Sequence, residues 1–192
     1  MKVIFLGLGS IGKRHGRILK EYSTHELFAF RSKKTGKENE LDIPEVFSWD
    51  EVEKLKPNIA FVTNPTSMHI ETALKCAKLG MHLFIEKPLS HTMDGVEELM
   101  QLCREKNLTC YIAYCLRFHP VIKELKRRLN GKTILHVRAV VSSYLPHWRP
   151  ETDCKKSYSA HAAQGGGVLI DLSHEFDYIQ YLFGPIAEMR GW

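Results

Sequence analysis

The fold is decided by the first fifteen residues, which include the stretch Lys2-Val-Ile-Phe-Leu-Gly7-Leu-Gly9-Ser-Ile-Gly12-Lys-Arg-His15. Apolar residues of β-type run directly into glycines at the spacing G-x-G-x-x-G. A helical pattern that contains Ile18 and Leu19 follows. Strand, glycine turn and helix in this order give the motif the context that a chance match lacks, and they predict a nucleotide-binding turn.

Each glycine of the motif has a predicted task. Gly7 permits the tight turn, Gly9 lets the backbone approach a pyrophosphate, and Gly12 lets the helix close against the strand. The helix start at Ser10 and Ile11 offers N–H groups and the positive end of the helix dipole to phosphates. The alternative is an ordinary glycine-rich turn between a strand and a helix.

Length and composition are typical of a soluble globular protein. The chain has 192 residues, of which 26% are charged and 44% are hydrophobic, so we expect one domain or one and a half. The sequence has no apolar run as long as a membrane span, and the N-terminus lacks a signal-peptide pattern. The five cysteines are odd in number and form no C-x-x-C pair. We therefore expect reduced thiols, a cytoplasmic protein and no membrane partner.

The net charge alone does not identify the class of binding partner. A net charge of +5 suits an anionic cofactor or substrate as well as it suits nucleic acid. No zinc-finger or RNA-binding signature accompanies the charge, and the histidines lack zinc-ligand spacing. We expect no nucleic-acid partner and no metal. A nonspecific nucleic-acid binder is a distant alternative.

Strands and helices alternate over the first two-thirds of the chain, which predicts an α/β fold with a doubly wound parallel sheet. Predicted strands cover residues 26–30, 59–63, 82–86 and 109–113, with a short strand within 41–47. Predicted helices cover about 11–21, 68–79, 93–106 and 120–129, and the capping-box spacing of Ser48 and Glu51 predicts a further short helix through Leu55. Beyond them the pattern predicts a long strand over 134–144, a polar loop, and a buried helix that starts at the glycines 165–167 and ends at Gly184.

The end of the second strand carries a basic residue where an NAD-preferring fold usually has an acidic one. Arg31 and Ser32 stand there, and two lysines follow. A guanidinium and a hydroxyl can bind a 2′-phosphate, which a carboxylate would repel. This favours NADP over NAD. The alternative is a solvated basic loop.

The last predicted helix carries polar groups within an apolar sequence. Asp171, His174 and Tyr178 fall at helical spacing on one side. Buried polar groups must meet each other or a ligand, and an aspartate can orient a histidine that acts as a general base. A satisfied Asp–His pair in a core remains equally open. Lys87, just past the carboxyl end of a strand, can polarise a substrate oxygen or be a surface lysine.

Together these stretches resemble the glucose-fructose oxidoreductase / inositol dehydrogenase / MocA (Gfo/Idh/MocA) family. The resemblance rests on the glycine motif with His15, the turn Glu86-Lys87-Pro88, Arg117-Phe118-x-Pro120, and the glycines 165–167 followed by Asp171 and His174. It covers essentially the whole chain. It implies NAD(P)-dependent oxidoreductases that act mainly on sugars, cyclitols and related alcohols.

The resemblance also implies domains and residue roles. It implies a Rossmann domain over 1–119, followed by the start of an α+β domain over 120–192 that forms homo-oligomers when complete. The implied catalytic residues are Lys87, Asp171 and His174. Cofactor contacts are implied for Asn64, Pro65, Thr66, His69, Glu86 and Lys87, and substrate contacts for Arg117, Trp148, Arg149 and Tyr158. The tract 144–150 with Tyr158 resembles the sequence of those family members that are associated with surface-polysaccharide sugar metabolism.

Three departures from the family pattern accompany the resemblance. Asp171 and His174 are three residues apart where four is common, and Cys115 replaces a common asparagine. The sequence also lacks most of the implied C-terminal sheet. We therefore expect a C-terminally truncated member, a chain that a partner completes, or a decayed gene product. The two function hypotheses are an NADP-preferring oxidoreductase and a non-catalytic NADP-binding module.

Overall fold

The computed structural model describes residues 1–32, 39–148 and 153–190. The chain divides into two compact units, Met1–Ala113 and Tyr114–Trp192. Along the described residues, no helix is both long enough and apolar enough to span a membrane.

The first unit is a three-layer α/β structure, so the predicted fold class is confirmed. Its six strands are all parallel and lie in the order β3-β2-β1-β4-β5-β6. The order reverses between β1 and β4, which defines the point where doubly wound sheets bind ligands. In chain order the elements are β1 (Lys2–Leu6), α1 (Ser10–Tyr22), β2 (Glu26–Phe30), β3 (Glu45–Val46), α2 (Trp49–Leu55), β4 (Ile59–Val62), α3 (His69–Lys78), β5 (His82–Ile85), α4 (Val96–Glu105) and β6 (Cys110–Ile112).

The sheet is the core of this unit because apolar side chains leave it on both faces. Val3, Ile4 and Phe5 of β1 are completely buried without alternation, as a strand covered on both sides requires. One face packs against α2, α3 and α4, and the other carries Val3 and Phe5 with the 41–43 segment. On this second face an aromatic row crosses four strands in register, from Phe5 through Phe61 and Phe84 to Tyr111.

The second unit contains α5 (Pro120–Leu129), α6 (Val168–Asp171) and α7 (His174–Phe183). The prediction of one continuous buried helix after the glycines 165–167 is wrong. The first helix ends at Asp171, Leu172 leaves the helical conformation (φ −102°, ψ 30°), and a second helix begins at His174. Val168 and Leu169 are 65% and 67% exposed, because no described apolar surface of the unit covers them.

The long strand predicted over residues 134–144 is also absent. These residues have no regular secondary structure, and Leu135 and Val140 are 94% and 74% exposed. The β-branched sequence favours a strand, but a strand also needs a neighbour that accepts its backbone hydrogen bonds. The described residues provide no such neighbour here.

Candidate functional site

The turn after β1 leaves a cradle above its central glycine. Gly7 has φ +118°, and a Cβ atom there would lie 2.8 Å from the backbone nitrogen of Asn64. A Cβ atom on Gly9, in contrast, would meet no atom of the described residues within 4 Å. The first glycine is therefore required by the fold, whereas the second leaves space for something that is not part of the chain.

The start of α1 is arranged for an anion. Gly9 is the N-cap residue and offers no side-chain cap, and the first turn contains no acidic residue. The N–H groups of Ser10, Ile11 and Gly12 lie in the first turn of the helix, where N–H groups have no acceptor within the helix. They form the positive end of the helix dipole. This combination fits a pyrophosphate.

The turn after β4 is tied to the glycine turn and to α3. The hydroxyl of Thr63 donates to the carbonyl oxygen of Gly7 at 2.6 Å, and the Nδ2 of Asn64 donates to Thr72 Oγ1 at 2.8 Å. Pro65 precedes a short 3₁₀ turn that contains the buried Thr66. Three of the predicted cofactor residues thus lie at the carboxyl end of β4, beside the reversal point of the sheet.

His69, the first residue of α3, lies beneath this surface. Its side chain is 1% exposed, and its two ring nitrogens face two backbone carbonyl oxygens. Nδ1 lies 2.9 Å from the oxygen of Pro88, and Nε2 lies 2.9 Å from the oxygen of Asn64. The pKa of His69 is lowered because burial disfavours the charged ring. The backbone carbonyls and the Glu86 carboxylate act in the opposite direction, but their effect is smaller.

The turn after β5 holds a hydrogen-bond partner for α1. Glu86 Oε1 lies 2.6 Å from His15 Nε2, and both side chains are largely buried, at 13% and 20% exposure. The His15 ring lies edge-on to Phe84 of the aromatic row. The other Glu86 oxygen accepts the backbone N–H of Lys87 at 3.2 Å, and the Lys87–Pro88 peptide is cis. Lys87 thus lies on the turn at the carboxyl end of a parallel strand.

Arg31 is at the carboxyl end of β2, as predicted, but it has an acidic neighbour. Its Nη1 donates to Glu45 Oε1 at 3.1 Å, and the two side chains are 28% and 15% exposed. Asn39 Nδ2 donates to the same oxygen at 3.0 Å. Ser32 is exposed, and the two lysines that follow it lie outside the described residues.

The second unit brings Asp171 and His174 to either side of the break between α6 and α7. Asp171 is 9% exposed. The ring of His174 lies edge-on to Tyr114 at 5.7 Å, and the Tyr114 hydroxyl donates to Ser173 Oγ at 3.4 Å. Burial and the neighbouring Glu175 carboxylate raise the pKa of Tyr178.

Arg117, predicted to contact substrate, has a structural partner in the second unit. Its Nε donates to Asp177 Oδ2 at 2.8 Å and its Nη2 donates to Oδ1 at 2.5 Å, while Asp177 is 7% exposed. The indole N–H of Trp148 donates to Ser143. Arg149 and the side chain of Tyr158 lie outside the described residues.

Sequence reasoning missed three partners in these sites, namely Glu45, Asp177 and Tyr114. Each is separated by 14 to 60 residues from the side chain that it contacts. No local spacing rule links residues so far apart. Glu45 alone had a usable signal, because it begins the short strand that pairs with the end of β2.

The parallel order with its reversal point, the open glycine turn and the free helix start define a dinucleotide-binding protein of the doubly wound class. Residues 1–114 match the GFO_IDH_MocA profile, which is described as an oxidoreductase family with an NAD-binding Rossmann fold. The chain belongs to this Gfo/Idh/MocA oxidoreductase family, and its first unit has the NAD-binding Rossmann fold of that family.

Individual relatives agree with this membership. The chain is 28% identical over 194 residues to scyllo-inositol 2-dehydrogenase (NAD(+)) of Bacillus subtilis, covering 93% of this chain and 53% of the relative. It is 25% identical over 191 residues to 2,7-anhydro-N-acetylneuraminate hydratase of Mediterraneibacter gnavus, covering 95% and 49%. The chain thus spans about half the length of the curated relatives that it matches.

Solved structures share the fold. The WlbA (WbpB) dehydrogenase from Thermus thermophilus, in complex with NAD and UDP-GlcNAcA, superimposes with a TM-score of 0.76 at 20% identity. The match covers 98% of this chain and 64% of that one. At this identity the likeness concerns the fold alone.

Proposed function

We propose that the chain acts as an NADP-preferring oxidoreductase, transferring a hydride between the nicotinamide and a sugar-like or cyclitol-like alcohol or carbonyl. The observation that carries this proposal is the open space over Gly9 at the start of α1, in a member of an oxidoreductase family. When bound, the nicotinamide supplies the hydride chemistry. The chain's own residues bind, orient and move protons.

The proposed proton-transfer residue is His174, which takes or gives the proton of the substrate hydroxyl. Asp171 orients it and stabilises its protonated form, and this aspartate is only 9% exposed. Lys87 hydrogen-bonds the substrate oxygen. Its support is its place directly after β5, since open α/β sheets bind ligands at the carboxyl ends of their strands.

The preference for NADP rests on Arg31. The Arg31 guanidinium has one Nη1 contact to Glu45 and remains 28% exposed, so other N–H groups can reach a phosphate. Glu45 opposes this because its carboxylate both neutralises Arg31 and repels a 2′-phosphate. We therefore propose that Arg31 recognises the 2′-phosphate and that Glu45 limits how tightly it does so.

A fluorescence titration of the 192-residue chain with NADPH and with NADH tests this cofactor preference. We expect NADPH to bind at least about tenfold more tightly, since a hydrogen bond to a charged group contributes about 1.5–3 kcal/mol. Arg31→Ala should remove the difference without weakening NADH. Glu45→Gln should tighten NADPH binding alone. Tighter binding of NADH by the wild-type chain would overturn the assignment of Arg31.

A turnover assay tests the proposed role of His174. The substrates are scyllo-inositol, which the B. subtilis relative is named for, and UDP-linked amino sugars, with NADP⁺ reduction as the signal. We expect His174→Ala to lower turnover by a factor of order one hundred, with NADPH affinity unchanged. Equal turnover would remove His174 from the mechanism. Saturable NADPH binding without turnover of any substrate favours the alternative, a non-catalytic NADP-binding module.

The wider setting of the proposal comes from the sequence. The tract 144–150 supports a role in surface-polysaccharide sugar metabolism, which turnover of UDP-linked amino sugars would test. We also propose a boundary between cofactor and substrate domains near residue 119, a cytoplasmic location, and homo-oligomers when the second domain is complete. Size-exclusion chromatography of a longer chain tests the last of these proposals, and a monomer would overturn it.

A further inference from the structure

His69 connects the two turns that end the central strands of the sheet. The ring places one nitrogen 2.9 Å from the carbonyl oxygen of Asn64, after β4, and the other 2.9 Å from that of Pro88, after β5. The turn after β4 is already fixed to the glycine turn through Thr63 and Gly7. His69 therefore extends a chain of contacts from the pyrophosphate cradle to the turn that carries Lys87.

The placement of these turns determines which half of a dinucleotide they meet. In a doubly wound sheet each half of the fold binds one mononucleotide, on either side of the reversal point. The strands β1 to β3 form one half, and β4 to β6 form the other. The adenosine half thus lies along β1 to β3, and the nicotinamide half lies over the turns that His69 connects.

A buried imidazole is an unusual link, because it is polar and lies 1% exposed among backbone carbonyls. Carbonyl oxygens that are buried in this way need a donor, and the imidazole ring faces two of them; the neutral ring donates its one N–H to one oxygen, and the protonated ring donates to both. Without it, the turn after β5 would keep its contact to α1 through Glu86 and His15, and the Glu86 N–H would still donate to Val62 at the end of β4 at 2.9 Å. The Pro88 and Asn64 carbonyl oxygens would lose the one side chain that faces both, so the turn that carries Lys87 would be held less firmly against the turn of Asn64.

We infer that His69 is a positioning residue for the nicotinamide half of the dinucleotide: it holds the Pro88 turn against the Asn64 turn. Its own ring does not touch the cofactor, since both nitrogens are engaged below the surface. A turn that is fixed in advance loses no ordering entropy when the nicotinamide binds, and this raises the affinity for that half alone. The inference rests on the proposed function only in requiring that the chain binds a nicotinamide dinucleotide.

The test compares ligands that differ only in the nicotinamide. Calorimetric titrations use NADPH and 2′-phospho-ADP-ribose, and in parallel NADH and ADP-ribose, with the 192-residue chain. For His69→Ala we expect about tenfold weaker binding of NADPH and a change of less than about twofold for 2′-phospho-ADP-ribose. His69→Asn keeps a donor near the Nδ1 position, and His69→Gln keeps one near Nε2. Each should recover part of the loss.

A matched control is His82→Ala. His82 is at the opposite end of β5, is exposed, and also contacts backbone, since its Nδ1 accepts the N–H of Thr109 at 3.0 Å. This variant should bind all four ligands like the wild-type chain. Circular dichroism and thermal melting check that each variant is folded before the titrations.

The possible outcomes separate the two proposals. If the wild-type chain binds none of the four ligands, the proposed function and this inference both fail. If it binds them and His69→Ala weakens both members of a pair equally, or neither, only the inference fails. If all three His69 variants are unfolded, His69 is required by the fold and the assigned positioning role is wrong.

Discussion

Gly7 and Gly9 are two residues apart, yet they constrain the molecule in different ways. A Cβ atom on Gly7 would collide with the Asn64 backbone, and its φ of +118° strains any L-residue. Gly9 has φ −68° and ψ −173°, which any residue adopts, and open space lies above it. Gly7 is therefore required by the fold, and the proposed role of Gly9 is to leave space for the pyrophosphate.

This difference predicts opposite outcomes for two substitutions. Gly9→Val should leave the melting temperature nearly unchanged, because only the cap position is affected, at a cost below about 1 kcal/mol. It should weaken NADPH binding by at least about tenfold, since the side chain fills the pyrophosphate space. Gly7→Ala should instead lower the free energy of unfolding by about 2 kcal/mol or more. Thermal melts and NADPH titrations measure both, and undiminished binding by Gly9→Val would contradict the assigned cradle.

The buried imidazole of His69 predicts a pH dependence of stability. Burial lowers its pKa below the ordinary value of 6.5, so between the folded pKa and 6.5 the unfolded chain binds more protons. The free energy of unfolding should therefore decrease as pH falls through this window, by up to about 1.4 kcal/mol per pH unit. Above the window the stabilisation that comes from the neutral imidazole is fully present. Urea unfolding at pH 7.5 and pH 5.0 measures the decrease. His69→Gln should show a smaller one, and identical decreases in both proteins would disprove the assignment.

At the scale of elements, α7 is attached to the turn that precedes α5 by a bidentate ion pair. Arg117 donates twice to Asp177, and the aspartate is buried although the arginine is 43% exposed. Lys126 of α5 adds a hydrogen bond to the carbonyl oxygen of Tyr181 at 2.9 Å. A charged pair therefore helps to hold α7 against α5 and the turn before it, where the described apolar contacts bury only part of their surface.

Removing one partner of this pair should destabilise the second unit. For Arg117→Met we expect the free energy of unfolding to fall by about 1–3 kcal/mol, because a buried carboxylate loses its donors. The double variant Arg117→Met, Asp177→Leu should recover part of this loss, since no charge is then left unpaired. Chemical denaturation followed by the tryptophan signal measures the series. If the Arg117→Met chain is as stable as the wild type, the structural role of the pair is wrong and the predicted substrate contact of Arg117 is favoured instead.

Local patterns predicted the elements of the first unit well, and they also predicted α5 of the second unit, but they failed for residues 134–144 and for the helices after the glycines 165–167. The strands β1, β2, β4 and β5 each carry a buried apolar run that ends at a turn residue, and Ser48 caps α2 by accepting the N–H of Glu51 at 3.2 Å. Residues 134–144 show the limit of such patterns, because β-branched residues favour a strand that forms only beside a partner. The break between Asp171 and His174 likewise depends on packing that helical spacing does not encode.

For the candidate site, sequence motifs predict where ligands approach but not which side chains support those positions. Gly9 and Lys87 follow from the rule that ligands bind at the carboxyl ends of parallel strands. The bond from Arg31 to Glu45 depends on the pairing of β2 with β3, and the two bonds of His69 depend on the pairing of β4 with β5. Side-chain support of this kind is tertiary, so a single sequence does not contain its signal.

At the scale of the whole molecule, the described dinucleotide features lie within one unit. The glycine turn, Arg31, Asn64, His69 and the turn of Glu86 all belong to Met1–Ala113. The six strands and both apolar clusters of the sheet belong to it as well. A compact unit with its own core is expected to fold independently.

We therefore expect a chain of residues 1–113 to fold and to bind NADPH with an affinity within about threefold of that of the 192-residue chain. The physical reason is that the proposed contacts to phosphates, to Arg31 and to the turns around His69 need no residue beyond Ala113. Circular dichroism and the same fluorescence titration measure folding and binding, and Gly9→Val in the short chain is the control that should fold without binding. A short chain that folds but no longer binds NADPH would show that residues after Ala113 complete the cofactor site, and the cradle at Gly9 would then be insufficient by itself.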